Sequence, residues 1–424
     1  MKVLIVNTFD SGGAANACLR LHEGLLRKGV DSKVLLMRKQ KQHPKTFQIE
    51  NPQHSKSKLT LLKQKTFSAL RILKLIPTPA ETKERQFLKS RQRELELFSF
   101  PYSDYDITNS PLYQEADIIN LHWVAKFLDY DSFFRKNTKP VVWTLHDMNA
   151  FTGGEHYSEV YLGMDSLGNP ISRAISKLEN QIFTEILSFK KRVIHPYSNI
   201  TVVAPSKWLV EEAQKSEVFK SKPIHCIPYG INSDIFRIRD RNYSREILNI
   251  PKDKTVILFV ADSISNHRKG YTYLKKALDA LQRDDVVLCA VGRKKNDLVS
   301  GTNTIELGAI VDERLMSIAY SAADVFVIPS LMDNLPNTVL ESLMCGTPVI
   351  GFPIGGIPDM VKHGFNGLIS SEVNSSSLFK TIELFLNTME SFERNEIRND
   401  ALSKYDLPIQ AQNYLKLYQN ILNS

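Results

Sequence analysis

The sequence alternates short apolar segments with helix-like segments, and this alternation starts afresh near the middle of the chain. In the first half, the apolar segments predict strands at residues 3–7, 32–37, 117–121, 141–145, 200–204 and 224–227. Helices are expected between them, at residues 14–27, 172–189 and 206–216. Short apolar strands that alternate with helices favour a parallel sheet covered on both faces.

The second half repeats the pattern after an interruption at Pro228, Gly230 and Asn232. Strands are predicted at residues 255–260, 286–291, 304–307, 325–329 and 348–351, and helices at 271–282, 312–321 and 337–345. The chain of 424 residues is too long for one ordinary core. We therefore predict two doubly wound α/β domains, residues 1–231 and 232–406, with ligands bound in the cleft between them.

The N-terminus and the cysteines predict a cytoplasmic protein. The apolar run that begins MKVLIVNTF ends at Asp10, which is typical of a buried strand rather than a signal peptide. No segment approaches the ~18 consecutive apolar residues of a membrane-spanning helix. Four cysteines lie scattered in apolar segments, so we expect reduced core residues: Cys18, Cys226, Cys289 and Cys345.

The basic residues are concentrated in one segment. The chain has a net charge of +8, and residues 56–93 contain eleven lysines or arginines but only two acidic residues. Apolar residues are interleaved with these charges. The segment is interpreted either as a solvated helical excursion or as a surface that meets anionic lipid, at the inner face of the membrane. No nucleic-acid motif accompanies it, so a nucleic-acid partner is not expected.

Two acidic residues frame a loop and a helix in the segment 323–369. Asp333 is predicted in the loop after a buried strand, and Glu341 just inside the next helix, with seven residues between them. Carboxylates at such a place can accept hydrogen bonds from vicinal hydroxyl groups. Taken alone, such a pair is more often a turn aspartate and a glutamate that stabilises the helix dipole.

This segment resembles the motif of the family-4 retaining glycosyltransferases, in which an acid, seven residues and a glutamate precede a C-G-T-P-V turn. Glu341 and residues 345–349 match that motif, whereas Asp333 stands where the family has glutamate. The resemblance covers nearly the whole chain and is weakest from residue 40 to 100. It implies the GT-B fold: two Rossmann-like domains face a cleft, and a C-terminal helix, about residues 407–424, crosses back to the first domain.

The resemblance also implies roles for residues around these acids. Asp333 and the adjoining loop would hold the donor sugar, and Glu341 the ribose of the nucleotide. The loop residues that we expect to contact the donor are Asn334, Leu335 and Pro336. Directly after the strand at 255–260, Arg268 and Lys269 supply two cations before a helix. The family binds the donor phosphates at this position, so we expect the two cations to stabilise the departing nucleoside diphosphate.

Three further places lie at predicted strand ends in the first half. Gly12 and Gly13 open a helix and let a phosphate or sugar approach the backbone closely. His146 stands where the family has a histidine that contacts the transferred sugar, although a lone histidine is more often structural. Residues expected on the acceptor side are His122, Asp147 and Gly153.

The expected function is therefore that of a retaining glycosyltransferase without cofactor or metal. Its substrates would be a nucleotide-sugar donor and a glycan or lipid-linked acceptor, in the assembly of a bacterial surface polysaccharide. A metal-dependent enzyme is an alternative, because two Asp-x-Asp pairs are present: Asp104 with Asp106, and Asp129 with Asp131. The sequence is also compatible with a nucleotide-sugar epimerase, a sugar phosphorylase or an inactive nucleotide-sugar-binding scaffold.

Overall fold

A computed structural model describes residues 1–51, 81–92, 94–158, 160–293 and 303–423. The strands of the first half are β1 (Lys2–Phe9), β2 (Asp31–Arg38), β3 (Thr46–Gln48), β4 (Ile118–Leu121), β5 (Val141–Thr144), β6 (Tyr161–Met164), β7 (Pro170–Ser172), β8 (Ile200–Ala204) and β9 (Ile224–Cys226). Those of the second half are β10 (Thr255–Ser263), β11 (Val286–Arg293), β12 (Thr304–Gly308), β13 (Val325–Ile328), β14 (Val349–Gly351) and β15 (Gly367–Ile369).

Helices connect most of these strands. The first half contains α1 (Gly13–Arg27), α2 (Glu81–Ser90), α3 (Pro111–Glu115), α4 (Tyr130–Lys136), α5 (Lys177–Ile194) and α6 (Lys207–Lys215). The second half contains α7 (Arg241–Ile247), α8 (Tyr271–Leu281), α9 (Glu313–Ala322), α10 (Asn337–Met344), α11 (Ile357–Met360), α12 (Ser375–Thr388), α13 (Arg394–Tyr405) and α14 (Leu407–Asn423).

The strands form two separate parallel sheets, as the alternation of the sequence predicts. The first sheet has the order β3-β2-β1-β4-β5-β8-β9, and the second has the order β12-β11-β10-β13-β14-β15. Strand order reverses direction beside β1 in the first sheet and beside β10 in the second. In sheets of this kind, ligands bind beyond the carboxyl ends of the strands at this reversal. The prediction of two doubly wound α/β domains is confirmed.

The central strands are apolar because helices cover both of their faces. Residues 3–6 of β1 and residues 256–259 of β10 are all buried, which a strand exposed on one face would not show. The small strands β6 and β7 form an antiparallel hairpin apart from both sheets. This hairpin contacts the second domain, since the backbone N–H of Gly163 donates to Nε2 of His267 at 2.9 Å.

The last helix returns to the first domain, the crossing that the predicted fold includes. Helix α13 ends at Tyr405, and α14 begins at Leu407. The hydroxyl of Tyr418 accepts from Asn120 of β4 at 2.7 Å, and that of Tyr414 lies 2.9 Å from the hydroxyl of Thr144. Gly24 lets α1 and α14 pack closely, because a Cβ there would lie only 2.9 Å from the Cβ of Ala411.

Four details of the sequence interpretation need correction. The helix predicted at 172–189 instead spans Lys177–Ile194, because Ser176 and Glu179 form a capping box and the preceding residues form β7. The hairpin β6–β7 and the short strands β3 and β15 were missing from the prediction. Cys226 is exposed, not a core residue, because it lies on the edge strand β9, whereas the other three cysteines are buried and all four are free.

The basic segment 56–93 lies mostly outside the described residues. Helix α2 covers residues 81–90 of it, and residues 56–80 and 93 are not described. Within the described ranges, no helix combines the length and the apolar character needed to cross a bilayer.

Candidate active site

The loops at the carboxyl ends of the two sheets contact one another directly. Asn337 follows β13, and its side-chain amide donates to the carbonyl of Gly13, after β1, at 3.0 Å. The amide of Asn334 donates to the carbonyl of His146, after β5, at 3.2 Å. The hydroxyl of Ser206 donates to the side-chain oxygen of Asn334 at 2.6 Å. Three predicted site residues, Gly13, His146 and Asn334, therefore lie at one interdomain boundary.

Arg268 and Lys269 lie in a 3₁₀ turn directly before α8, and both face Asp333. The Nζ of Lys269 is 2.5 Å from Oδ2 of Asp333, and Nη1 of Arg268 is 3.4 Å from the same oxygen. Gly270 makes this approach possible. Its φ of 71° is left-handed, and a Cβ there would lie 1.8 Å from the carbonyl oxygen of Pro329. Two separate sequence motifs thus meet as one charged cluster.

The charges of this cluster are strongly coupled because all three side chains are largely buried. Burial by itself would raise the pKa of the Asp333 carboxyl, but the charges of Lys269 and Arg268 outweigh it and hold that pKa below its ordinary value. Burial and the charge of Arg268 together lower the pKa of Lys269, and Asp333 opposes them. Asp333 therefore fixes the positions of two basic side chains in a site of low dielectric.

Glu96 is a member of this cluster that the sequence interpretation missed. Its Oε1 accepts from Nε of Arg268 at 2.6 Å and from the amide of Asn266 at 2.8 Å. The guanidinium of Arg268 also lies over the ring of Tyr157, 4.4 Å from its centroid. Glu96 and Tyr157 both belong to the first half of the chain, so Arg268 joins the two domains. Glu96 falls in the region where the resemblance is weakest, and no local motif marks it.

Glu341 lies in α10, and Arg20 of the first domain holds its carboxylate. Nη2 of Arg20 is 2.7 Å from Oε1 of Glu341 and 2.6 Å from Oε1 of Glu313. The hydroxyl of Tyr320 donates to Oε2 of Glu341 at 3.1 Å. Burial raises the pKa of Glu341, and the charge of Arg20 partly offsets this. Arg20 was not predicted, although a charge between the apolar residues Leu19 and Leu21 is a signal that could have found it.

His146 and His122 form a buried pair at the ends of β5 and β4. Nε2 of His146 is 2.9 Å from Nδ1 of His122, and Nδ1 of His146 is 2.8 Å from the hydroxyl of Tyr229. Burial lowers the pKa of His146 to about 4 and that of His122 well below its ordinary value. Both rings are thus neutral near pH 7. Nε2 of His122 is buried and has no hydrogen-bond partner among the described residues.

Asp147, which is predicted on the acceptor side, anchors a chain of hydrogen bonds in the first domain. Its Oδ2 accepts from Nε1 of Trp123 at 2.7 Å and lies 2.5 Å from Nδ1 of His156. Nε2 of His156 lies 2.9 Å from the hydroxyl of Ser99. Gly153 is placed against α5, where a Cβ would lie 2.5 Å from the backbone of Phe183. This packing accounts for the glycine, and an acceptor contact of Gly153 stays a prediction.

Gly12 and Gly13 leave open space before α1. Gly12 has a left-handed φ of 97°, and a Cβ there would meet no described atom within 4 Å. A Cβ on Gly13 would meet only the amide nitrogen of Asn337, at 3.8 Å. Among the described residues, no side chain caps this helix. Its first backbone N–H groups therefore remain for a ligand, and they favour an anionic one.

Asn334, Leu335 and Pro336 lie buried in the loop between β13 and α10. Two glycines shape this loop from outside it. A Cβ on Gly355 would lie 1.8 Å from the carbonyl oxygen of Asp333, and one on Gly356 would lie 1.9 Å from that of Asn334. The donor contacts of the three loop residues stay a prediction.

One aspartate of each Asp-x-Asp pair serves local structure. Asp106 accepts from the backbone N–H of Thr108 at 3.0 Å and pairs with Lys136. Asp129 accepts from the backbone N–H of Ser132 at 2.9 Å and thereby caps α4. Within the described residues, no group of three or more histidine, cysteine, aspartate or glutamate side chains is placed to hold a metal ion.

Comparison with known sequences finds a family match in the second domain. Residues 240–401 match the family model described as glycosyl transferases group 1. An uncharacterized glycosyltransferase of Methanocaldococcus jannaschii is 26% identical over 239 residues, which are 53% of this chain and 60% of that protein. Sulfoquinovosyl transferase of Arabidopsis thaliana is 25% identical over 224 residues, 51% of this chain and 43% of that protein.

A third relative is the N,N'-diacetylbacillosaminyl-diphospho-undecaprenol alpha-1,3-N-acetylgalactosaminyltransferase of Campylobacter jejuni. It is 28% identical over 184 residues, which are 42% of this chain and 47% of that protein. The chain thus spans between 43% and 60% of the length of these three relatives.

Solved structures match the whole chain. Sucrose-phosphate synthase from Thermosynechococcus elongatus has a TM-score of 0.67 and 17% identity, and the match covers 100% of both chains. HepE of Anabaena, in complex with UDP and glucose, has a TM-score of 0.64 and 16% identity over 99% of this chain and 100% of that one. The protein therefore has the GT-B fold. Its second domain matches the group 1 glycosyl transferases, as the resemblance at residues 323–369 implies.

Proposed function

We propose that this protein is a retaining, metal-independent glycosyltransferase that transfers a sugar from a nucleotide-sugar donor to a hydroxyl of a glycan or lipid-linked glycan. The observation that carries the proposal is the buried cluster of Arg268, Lys269 and Asp333, which lies at the reversal point of the second sheet. Glu341 lies on the helix that follows the same loop, within the segment that matches the glycosyl transferases.

The charges of a nucleotide-sugar donor fit the residues at the interdomain boundary. The two phosphates would take Arg268 and Lys269 as fixed cations, and the backbone N–H groups at the start of α1 would face them from the first domain. The ribose hydroxyls would donate to the carboxylate of Glu341, which Arg20 and Tyr320 hold in place. The solved relative HepE, which was crystallised with UDP and glucose, supports a nucleotide of this class.

The reaction needs one bond to form and one to break at the anomeric carbon. The acceptor oxygen forms the new glycosidic bond as the bond from the anomeric carbon to the phosphate oxygen breaks. The departing electron pair stays on the diphosphate, where Arg268 and Lys269 stabilise it. The acceptor proton passes to a phosphate oxygen on the same face of the sugar. Attack on the face of the leaving group retains the anomeric configuration and uses no covalent nucleophile of the protein.

His146 would contact the transferred sugar with its neutral ring, because both of its ring nitrogens already face His122 and Tyr229. With a pKa of about 4, the ring carries no charge that would compete with Arg268 or Lys269 for the phosphates. Its hydrogen bonds to His122 and Tyr229 fix the orientation of the ring. Asp333 lies within reach of both cations, so it can position them and accept from a sugar hydroxyl.

The proposed acceptor class and biological setting rest on the name of one relative. The name of the Campylobacter jejuni relative includes an undecaprenol-linked sugar, which supports a lipid-linked glycan acceptor and a role in surface polysaccharide assembly. The test is to incubate the protein with a nucleotide sugar and a set of glycans, and to determine the anomeric configuration of the product by NMR. A product with the configuration of the donor supports the proposal, and an inverted product contradicts it.

A further inference from the structure

A wide groove lies beside α2, on the first domain. It is formed by α2, by residues 91–92 and 95–105 and by the loop after β4, and its volume is about 740 Å³. This volume is typical of a small-molecule site. Tyr102 lines the groove with 45% of its surface exposed, and its ring stacks against Phe100 with an interplanar angle of 13°. We call this feature the aromatic groove.

The aromatic groove borders the cluster of Arg268, Lys269 and Asp333 through Glu96. Glu96 lines the groove and also accepts from Arg268 at 2.6 Å. Glu96 therefore lies between a ligand in the groove and the arginine that we assign to the donor phosphate.

Two chains of contacts connect the groove to the region of His146. Ser99 lines the groove and contacts His156, which in turn contacts Asp147, the neighbour of His146. The loop after β4 begins at His122, the partner of His146, and its residue Lys126 lines the groove. Lys126 has a left-handed φ of 65°, a conformation that is strained for a residue with a side chain.

The chemistry of the walls indicates the class of ligand. Three basic and three acidic side chains line the groove: Lys89, Arg91, Lys126, Glu84, Glu96 and Asp104. These charges cancel, so the groove offers no net attraction to an anionic ligand. Apolar groups line the groove beside these charges, among them Leu88 and Leu97, which are 44% and 40% exposed. A neutral sugar fits such mixed walls, because its hydroxyls bond with polar and charged groups and its C–H face packs on tyrosine and leucine.

We propose that the aromatic groove binds a neutral glycan and presents one of its hydroxyls to the donor, which makes the groove the acceptor site. This inference rests on the proposed function for its acceptor role, whereas glycan binding itself does not require turnover. The groove residues are distinct from those that we assign to the donor.

The test measures binding of the full chain to an array of neutral and anionic oligosaccharides, and to vesicles of anionic phospholipid. The first variant, Tyr102→Ala, removes an exposed ring, and its control is Tyr243→Ala, which removes a ring that is 64% exposed on α7. The second variant, Lys126→Gly, removes a groove side chain where glycine suits the left-handed backbone. Asn249→Gly is its control, because Asn249 is also left-handed, with a φ of 54°, and lies in the second domain.

We expect the wild type to bind neutral oligosaccharides, and both groove variants to bind them at least tenfold more weakly than their controls. Binding only to anionic glycans or vesicles, no binding to any neutral glycan, or equal binding by groove and control variants would each overturn the proposal. Nucleotide release by the wild type separates the two proposals. Release without groove-dependent glycan binding removes the groove proposal alone, whereas groove-dependent binding without turnover of any donor removes the proposed function and the acceptor role.

Discussion

The guanidinium of Arg20 lies 2.7 Å from the carboxylate of Glu341, although the two residues belong to different domains. Arg20 is on α1, which begins directly after Gly12, and Glu341 is on α10, which follows the loop that contains Asp333. The arginine is 4% exposed and bridges to Glu313 as well. This contact fixes the carboxylate that we assign to ribose and joins it to the first domain.

Replacing Arg20 should weaken both folding and donor binding. Arg20→Met leaves Glu341 buried without its cation, which typically costs about 3–5 kcal/mol of the free energy of unfolding. We expect a lower melting temperature and a KM for the donor raised about tenfold. Arg27→Met is the control, because Arg27 lies on the same helix with a half-exposed side chain. Equal melting temperatures and donor KM values for the two variants would remove Arg20 from this role.

Lys269→Ala should reduce turnover and leave the fold intact. Losing one preorganised cation at a developing negative charge typically lowers kcat by about 10²–10³-fold. Lys275→Ala is the control, since Lys275 lies on the adjoining helix and pairs with Asp279 on the surface. Nucleotide release and thermal melting of both variants give the comparison. Near-normal turnover of Lys269→Ala would contradict the assignment of the phosphate site.

The buried histidine pair predicts how pH affects stability and turnover. The pKa of His146 is about 4 in the folded protein and 6.5 when unperturbed, so the unfolded state binds more protons between these values. This contribution to stability is therefore present above pH 6.5 and is lost as the pH falls toward 4. We expect the melting temperature to fall more steeply over this range in the wild type than in His146→Gln. The kcat of the wild type should show no titration near pH 6.5, and a step there would contradict a neutral His146.

The buried amine of Lys190 should make the stability of the protein depend on pH in the alkaline range. Its Nζ is fully buried and donates to the carbonyls of Asn149 and Thr152, and burial lowers its pKa to about 7. The folded pKa lies below the unperturbed 10.5, so the unfolded state binds more protons between pH 7 and 10.5, and stability rises with pH there. The melting temperature should rise more steeply across this range in the wild type than in Lys190→Met.

Lys191→Met is the matched control for that comparison. Lys191 is the next residue, but it is half-exposed and pairs with Glu217 on the surface. Its variant should keep the alkaline slope of the wild type. An identical slope for Lys190→Met would show that the buried amine does not titrate in this range.

The sequence predicted both sheets because a central parallel strand must be apolar along its whole length, as residues 3–6 and 256–259 are. Some edge strands, such as β3 and β15, lack this signal. The strands β3 and β15 have three residues each, and the hairpin β6–β7 is only partly buried, so neither periodicity nor apolar runs mark them. Cys226 was assigned to the core because its apolar neighbours cannot distinguish an edge strand from a central one.

The candidate site likewise contains residues that local sequence motifs predict and contacts that they do not predict. Residues of compact motifs, such as Asp333 and Lys269, were predicted because each motif lies at the end of a recognisable strand. The contact between Lys269 and Asp333 at 2.5 Å was not predicted, because it joins loops that are 64 residues apart in the chain. Arg20 and Glu96 act across the domain boundary, and no local spacing predicts a partner in another domain.

The central claim is that fixed cations of this chain, rather than a metal ion, stabilise the departing nucleoside diphosphate. The most direct measurement is release of nucleoside diphosphate from UDP-, GDP-, ADP- and dTDP-sugars, with a glycan mixture as acceptor, in the presence and absence of EDTA. The account predicts release from one of these donors at a rate that EDTA does not change. Release that EDTA abolishes would contradict it and favour a metal-dependent enzyme, and failure of every donor either to react or to raise the melting temperature would contradict the nucleotide-sugar site itself.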